Sequence, residues 1–393
     1  MTEVILVLNS GSSSIKFTLF CGEVPQLEGQ ISGLGAEPRL TLKSKFAESR
    51  IDRVLTAQEG THSGALAALL PILESELGGR KIDAVGHRVV HGGVEHAAPL
   101  LLTVEVIADL KSLEPLAPLH QPHNLAGIHA ACAAFPDAVQ IACFDTAFHR
   151  NHPWVNDTFA LPRSLYDEGV RRYGFHGLSY EYICRYLKQT APDVFAGKVI
   201  VAHLGNGASM CAIRNGQSIG STMGFTALDG LPMGTRCGQL DPGVVLYLLA
   251  TKGMTPTDVS DLLYKESGLK GLSGISQDMR ALTESPDPRA AEAIDYFVFR
   301  IRRELGAMAA VLGGLDTVVF TGGIGENSAL IRRMVCADQN WLGLSIDVAK
   351  NATGEEDISG PDSRIKVLVI PTNEEETIRW HSSALLASQP NLA

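Results

Sequence analysis

Four residues have surroundings that would bring them to a ligand: Arg88, Asp145, His176 and Arg236. Arg88 lies in Ala84-Val85-Gly86-His87-Arg88-Val89-Val90-His91-Gly92-Gly93, an apolar run that reads as a strand ending on glycine. A buried strand gains nothing from an arginine unless the guanidinium meets an anion, and an internal salt bridge answers that need as well as a substrate does. Asp145 follows the strand-like run Ala138 to Phe144, at the carboxyl end where open α/β sheets place ligand contacts, although it would also serve there as a helix cap. His176 falls between Gly174 and Gly177, where both backbone and ring can approach a substrate, and Arg236 is the only cation in the long loop Asp229 to Asp241.

Glycine turns supply the complementary chemistry. Gly205-Asn206-Gly207 separates two apolar runs, Val199 to Leu204 and Ala208 to Ile213, so the stretch reads as strand, tight turn and strand. Its amides can approach a phosphate closely, while a plain hairpin turn is the simpler use of the same residues. Shifted by 196 residues, about half of 393, Leu8-Asn9-Ser10-Gly11-Ser12-Ser13 overlies Leu204-Gly205-Asn206-Gly207-Ala208-Ser209, which predicts a duplicated fold. In the first copy, Ser12 to Ser14 and Lys16 suit phosphate oxygens or a solvated turn. A third glycine loop, Gly322 to Gly325, follows the apolar run Thr317 to Thr321 and precedes a helix predicted from Glu326 to Met334. Strand, glycine loop and helix N-terminus together form an anion site, because unpaired amides and the helix dipole converge there. His120 and His123 lie in a proline-containing loop without a local cysteine or carboxylate cluster, which argues against a zinc site.

The elements that must position these residues are also legible. Leu66, Leu69, Leu70, Leu73 and Leu77 recur at helical spacing before Gly78-Gly79, and a second helix is predicted from Asn124 to Phe135. Asp241-Pro242 and Thr255-Pro256 read as capped helix starts, and about Pro288 to Leu312, with apolar positions recurring from Ile294, as one long helix stopped by Gly313-Gly314. Ile365 to Ile370 is a last strand before Asn373-Glu374-Glu375-Glu376 and a terminal helix. With 393 residues, 45% of them hydrophobic, the chain can bury a large core. A formal charge of −10 argues against nucleic-acid and anionic-membrane partners. Seven scattered cysteines, no signal-like start and no long apolar run lead us to expect a cytoplasmic protein without disulfides, zinc or a membrane span.

Seven segments taken together resemble the acetate kinase family of the sugar kinase, Hsp70 and actin superfamily. They are Leu8 to Phe17, Gly86 to Gly93, Phe144 to His149, Tyr173 to Gly177, His203 to Gly207, Met233 to Arg236 and Gly323 to Asn327, in that order along nearly the whole chain. The resemblance implies an α/β, duplicated two-lobe actin-like fold with a cleft. One lobe would span residues 1–148, completed by 375–393, on the acyl side; a nucleotide-binding lobe would span 149–374. It also implies reversible, ATP-dependent phosphorylation of acetate to acetyl phosphate and ADP with Mg²⁺ or Mn²⁺, and a homodimer. By matching motifs, Asn9 and Glu374 belong near the metal, and Arg88 and Arg236 on the carboxylate and the phosphoryl group in flight. His176 belongs on that group's oxygens and Asp145 at the centre of catalysis. Lys16 and His203-Leu204-Gly205-Asn206-Gly207 fall to the phosphates. Asp278-Met279-Arg280 and Gly323-Ile324-Gly325-Glu326-Asn327 fall to the nucleotide.

The chemistry is consistent with those roles. Acetate is already an anion at neutral pH and needs no base; the obstacle is repulsion between anions, which two arginines, a histidine and a divalent cation can offset. Asp145 is therefore expected to orient a cation or water and not to remove a proton. The acyl site implied by the family comprises Arg88, Val90, Leu119, His120, Phe175 and Ala227, with Ala227 replacing the usual proline. Leu178-Ser179-Tyr180 stands where the family generally has Thr-Ser-His, Gln239 where an acidic residue is common, and Gln121 where asparagine is frequent. The alternatives are a propionate or butyrate kinase with the same mechanism, a sugar-kinase-like enzyme, and an ATP-driven switch of the actin type. Two site arginines speak against the last two: a hydroxyl acceptor would want a carboxylate base, and a switch has no acceptor to hold.

Overall fold

The computed structural model describes residues 2–44 and 50–388. The chain divides into two compact units, Met1–Arg150 with Asn373–Ala393, and Asn151–Thr372.

The first unit is built on β1 (Val4–Ser10), β2 (Ser14–Cys21), β3 (Val24–Ser32), β4 (Arg39–Ser44), β5 (Arg50–Val54), β6 (Ala84–Val89), β7 (Leu100–Leu101) and β8 (Val139–Phe144), ordered β5-β4-β3-β2-β1-β6-β8-β7. Strands β1, β6 and β8 run parallel, and each is joined to the next through a helix-containing connection. Their largely apolar character follows from being covered on both faces. On one side Leu66, Leu69 and Leu73 of the helix His62–Leu77 are buried against Leu6, Leu8 and Phe17. The C-terminal helix Glu374–Ser388 packs on β1 and β6. That contact is close: a Cβ at Gly86 would lie 2.6 Å from both Ile378 Cγ2 and Ser382 Oγ, so glycine is the residue β6 needs there.

In the second unit β9 (Lys198–Leu204), β10 (Ala208–Arg214), β11 (Gln217–Ser221), β12 (Thr317–Thr321) and β13 (Lys366–Val369) are ordered β11-β10-β9-β12-β13. This repeats the β3-β2-β1-β6-β8 core of the first sheet, including the parallel pairing of the last three strands. The register repeats too. Ile5 faces Ala84, which faces Val139; Val199 faces Thr317, which faces Lys366.

The duplication is therefore real, but its offset is 194 and not 196: Val4–Ser10 corresponds to Lys198–Leu204, and Ser14 to Ala208. Matching letters in the turn misplaced the strands by two residues, an even slip that leaves the faces unchanged. Equivalent strand ends now carry Asn9 and His203, Arg88 and Thr321, Asp145 and Thr372.

Two helix starts also differ from expectation. The second helix spans Gln121–Ala134, because Pro122 fits the first turn, where its missing N–H is no loss. The third glycine stretch is not a loop but a helix, Gly322–Asn327, followed by Ala329–Cys336. Glycine disfavours helix locally, yet here Gly322 makes the entry turn at φ 76° and the Glu326 carboxylate accepts its N–H at 2.8 Å. Asp241 and Thr255 cap their helices as expected, and the long helix runs Pro288–Leu312. Among the described residues no helix is long and apolar enough to cross a membrane.

Candidate active site

In the first unit, the carboxyl ends of β1, β6 and β8 bring Asn9, Arg88 and Asp145 together. The Arg88 guanidinium forms a two-pronged pair with Asp145, Nε to Oδ1 at 3.0 Å and Nη2 to Oδ2 at 2.6 Å. Nη1 donates to Asn9 Oδ1 at 3.5 Å, and Nε lies 3.5 Å from Glu374 Oε2 at the start of the C-terminal helix. Burial opposes the arginine's charge, but the Asp145 and Glu374 carboxylates outweigh it and hold its pKa above the ordinary value. Burial, and next the charge of Glu374, push the neighbouring Glu375 carboxyl up. Lys16 is exposed on β2 directly across from Asn9. Asp145 is thus no helix cap: it orients an arginine.

The surroundings fix this arrangement. Asn124 accepts the Val90 N–H at 3.0 Å and donates to the Ser10 carbonyl at 2.7 Å, tying the ends of β6 and β1. Gln121 donates to the carbonyls of His91 and Leu110. Thr146 Oγ1 accepts the Gly92 N–H. His87, hydrogen-bonded to Gln140, and His91, whose Nδ1 accepts the Gly93 N–H, are pushed down by burial to about 4 and about 3, so both are neutral structural groups. Val90 is buried, while Leu119 and His120 are half-exposed just before the helix at Gln121.

The second unit gathers a different set around the turn between β9 and β10. His176 takes a left-handed backbone at φ 58° where the helix Gly177–Thr190 begins, an uncommon conformation that aims its ring at the turn. A Cβ built at Gly207 would lie 2.7 Å from Arg236 Nη2 and 3.1 Å from His176 Nε2. The glycine therefore lets a guanidinium and an imidazole converge over the turn. Arg236 is aimed by a 2.7 Å hydrogen bond from Nη1 to the carbonyl of Ala227. The rings of His176 and His203 stack, with centroids 4.3 Å apart. Phe175 is wholly buried.

Gly207→Ala is accordingly a sharp probe. The methyl group meets only the far ends of two side chains, so stability should stay within about 1 kcal/mol of the parent, while turnover should fall on the order of 100-fold as the guanidinium and ring are displaced. Urea unfolding and steady-state kinetics check both halves, and unchanged turnover would remove the turn from the reaction.

Beside this turn opens a cavity of about 550 Å³, within the range of small-molecule sites. Gly205, Asn206, Gly323, Ile324 and Asn327 line one part of it, and Asp278, Met279 and Arg280 another. Thr283, Glu284 and Ser328 complete the lining; with no glycine or charge pattern around them, nothing in the sequence marks them out. Asp278 caps its helix by accepting the N–H groups of Arg280 and Ala281. Leu204, Gly325 and Glu326 do not line the cavity. Leu204 and Gly325 are buried, and Glu326 turns inward to accept the N–H groups of Gly322 and Thr372. Its Oε1 joins the ends of β12 and β13. Sequence reasoning also missed Ser179, Ser209 and Thr372, which hold the two imidazoles.

Among the described residues no three His, Cys, Asp or Glu side chains converge as a ready-made metal cage. The oxygens of Asn9 and Glu374 are a hard donor set that fits Mg²⁺, which is commonly held by one or two carboxylates, water and substrate phosphates.

Comparison with known proteins agrees with this picture. The Acetokinase family model matches residues 4–379. The acetate kinase of Methylocella silvestris is 54% identical over 398 residues, covering 98% of each chain. Among solved structures, Porphyromonas gingivalis acetate kinase superposes with a TM-score of 0.86 at 38% identity, covering 98% of this chain and all of the other. A propionate kinase from Francisella tularensis superposes with a TM-score of 0.91 at 36% identity, covering 96% and 98%. With the family model matched over nearly the whole chain and a relative 54% identical across it, the chain belongs to the acetokinase family.

Proposed function

We propose that this chain transfers the γ-phosphoryl group of ATP directly and reversibly to a short carboxylate, acetate before propionate, giving an acyl phosphate and ADP. The observation that carries the reading is the half-buried Arg88 guanidinium, clamped by the buried Asp145 at the end of β6. Asp145 is already engaged in a two-pronged ion pair, so it serves to orient Arg88 and is not the base that a hydroxyl acceptor would want. A carboxylate acceptor needs none.

In this reading the first unit binds the acceptor through Arg88, with Val90, Leu119 and His120 beside it. The second binds the nucleotide in the 550 Å³ cavity and presents Arg236 and His176 to the phosphoryl oxygens. Arg236 is the fixed charge, and His176 donates from Nε2. Asn9 and Glu374 would hold Mg²⁺, which when bound shields the phosphate charge. Removing divalent cations with a chelator should therefore abolish turnover, while the fold persists because its cores do not depend on these two side chains.

Ala227 favours some tolerance for longer acids, since the family's proline ring is gone. An extra methylene in such a site is worth about 1 to 3 kcal/mol, so with Val90 retained we expect kcat/KM for propionate about tenfold below that for acetate. Trapping acyl phosphates with hydroxylamine, with ATP, Mg²⁺ and acetate, propionate, butyrate or no acid, tests both statements. Acid-dependent trapping in that order supports them; trapping with none of the acids ends the kinase reading, and propionate above acetate reverses the ranking.

A homodimer and a cytoplasmic setting are part of the proposal. None of the seven cysteines is in a disulfide. The helix Pro242–Ala250 has no buried residue although it carries Val244, Leu246 and Tyr247, and Phe299 is likewise exposed on the long helix. Apolar surface of that kind is what a second copy would cover. Leu246→Asp should convert the sedimenting species from dimer to monomer; an unchanged sedimentation coefficient would place the interface elsewhere.

A further inference from the structure

The stacked pair His176 and His203 is held from behind by two matching chains of hydroxyl groups. His176 Nδ1 lies 2.8 Å from Ser209 Oγ, which lies 2.5 Å from the Tyr180 hydroxyl. His203 Nδ1 lies 2.9 Å from Ser179 Oγ, which receives a hydrogen bond from Thr372 Oγ1 at 2.8 Å. Tyr180, Ser179 and Ser209 are fully buried. The other ring nitrogens face the turn: a Cβ at Gly207 would lie 3.1 Å from His176 Nε2, and one at Gly205 3.7 Å from His203 Nε2.

Donor strength and proton count together favour one direction for each chain. A serine hydroxyl has one proton to give. A phenol is a better donor and a poorer acceptor than an aliphatic alcohol, so Tyr180 donates to Ser209, and the Ser209 proton is left for His176 Nδ1. Thr372 donates to Ser179, and the Ser179 proton goes to His203 Nδ1. Each Nδ1 is then an acceptor, and each ring carries its own proton on Nε2. Charging both rings would set two cations 4.3 Å apart, so the stack itself favours neutral imidazoles.

We infer that Tyr180 and Ser209 on one side, and Thr372 and Ser179 on the other, are positioning residues that lock His176 and His203 as neutral Nε2–H tautomers. Both N–H groups are thereby aimed at the glycine turn before any ligand arrives. Tyr180 takes over, through Ser209, the position at which the family generally has a histidine. The tautomers follow from the hydrogen bonds alone, whereas the identity of what the N–H groups meet rests on the reading of this turn as the phosphoryl site. Thr372 holds its place because Glu326 accepts its N–H at 3.1 Å, which gives that half-buried carboxylate a role.

The test is long-range ¹H–¹⁵N NMR of the full-length protein carrying ¹⁵N-histidine, with the two rings assigned from His176→Gln and His203→Gln. Unprotonated Nδ1 and protonated Nε2 are expected in both rings of the parent. Tyr180→Phe should release the Ser209 proton, so that His176 becomes a mixture of tautomers while His203 is unchanged; Thr372→Val should do the converse. In the kinase assay Tyr180→Phe should lower kcat about tenfold with the KM for ATP within about twofold, the mark of an interaction made in the transition state. Protonated Nδ1 in the parent, an imidazolium, or a His176 tautomer that ignores Tyr180→Phe would overturn the inference. A protein that forms no acyl phosphate but shows the expected tautomers would instead overturn the functional reading and leave the relays standing.

Discussion

Arg88→Ala should lower kcat/KM for acetate on the order of 1,000-fold, about 4 kcal/mol of transition-state stabilisation. The guanidinium does two things at once. It offers the charge an anionic acceptor needs, and it neutralises Asp145 and Glu374, which with Glu375 form a cluster of acidic groups at the strand ends. Removing it leaves a nearly inaccessible Asp145 carboxylate, 2% exposed, without its counter-charge. Loss of one partner from a buried pair costs about 3 to 5 kcal/mol; because the Arg88 side chain is 19% exposed, we expect the lower end, about 3 kcal/mol. Arg88→Lys separates the two effects. A lysine restores the charge and most of the stability, but it lacks the fork that meets both oxygens of Asp145, so activity should recover only in part. Urea unfolding beside acetate-dependent kinetics resolves the comparison. An alanine variant that is destabilised but turns over normally would make Arg88 a purely structural arginine.

Arg236→Ala should have the opposite signature, a fall in kcat on the order of 1,000-fold, the scale of an arginine acting on a phosphoryl group in flight, with little change in stability. Its loop is held without it. The buried Arg300 donates to the carbonyl of Gly230 at 3.4 Å, to that of Gln239 at 3.5 Å and to Gln239 Oε1 at 3.0 Å, pinning both ends of the loop. Backbone hydrogen bonds from Gly234 to Asn206 and from Ser267 to Thr235 secure its middle. The Arg236 guanidinium is thus preorganised by its surroundings and is not itself a support for them. The KM for ATP should stay within about threefold, because the interaction is made chiefly in the transition state. A raised KM with unchanged kcat would instead make Arg236 a ground-state nucleotide contact.

Much of this was legible in the chain. Alternating apolar runs around glycine turns gave both central hairpins, and Arg88 in an apolar strand announced a buried anion partner. That the partner is Asp145 required the structure, since 57 residues separate them and only the parallel pairing of β6 with β8 brings their ends together. The glycines at 322, 323 and 325 misled because their intrinsic preference is for turns, whereas the Glu326 carboxylate and the packing of β12 hold them helical. Ser179 and Ser209 gave no signal, for a serine acquires a role only from the group folded against it. Thr372 could be found only from the strand pairing: β13 stands to β12 as β8 stands to β6, so Thr372 occupies the strand end that Asp145 occupies in the first copy, at an offset of 227 residues that the hairpin repeat of 194 does not give. The two units thus use equivalent strand ends differently, one for fixed charges and the other for hydroxyl groups behind imidazoles.

The central claim is that a carboxylate oxygen attacks the γ-phosphorus of ATP. Acetate labelled with ¹⁸O in both oxygens, incubated with the protein, ATP and Mg²⁺, provides the most direct measurement through the ³¹P NMR signal of the product. Acetyl phosphate whose phosphorus is bonded to one ¹⁸O is predicted, because the bridging oxygen then comes from the acid. Unlabelled acetyl phosphate, or inorganic phosphate released without any dependence on acetate, would contradict it.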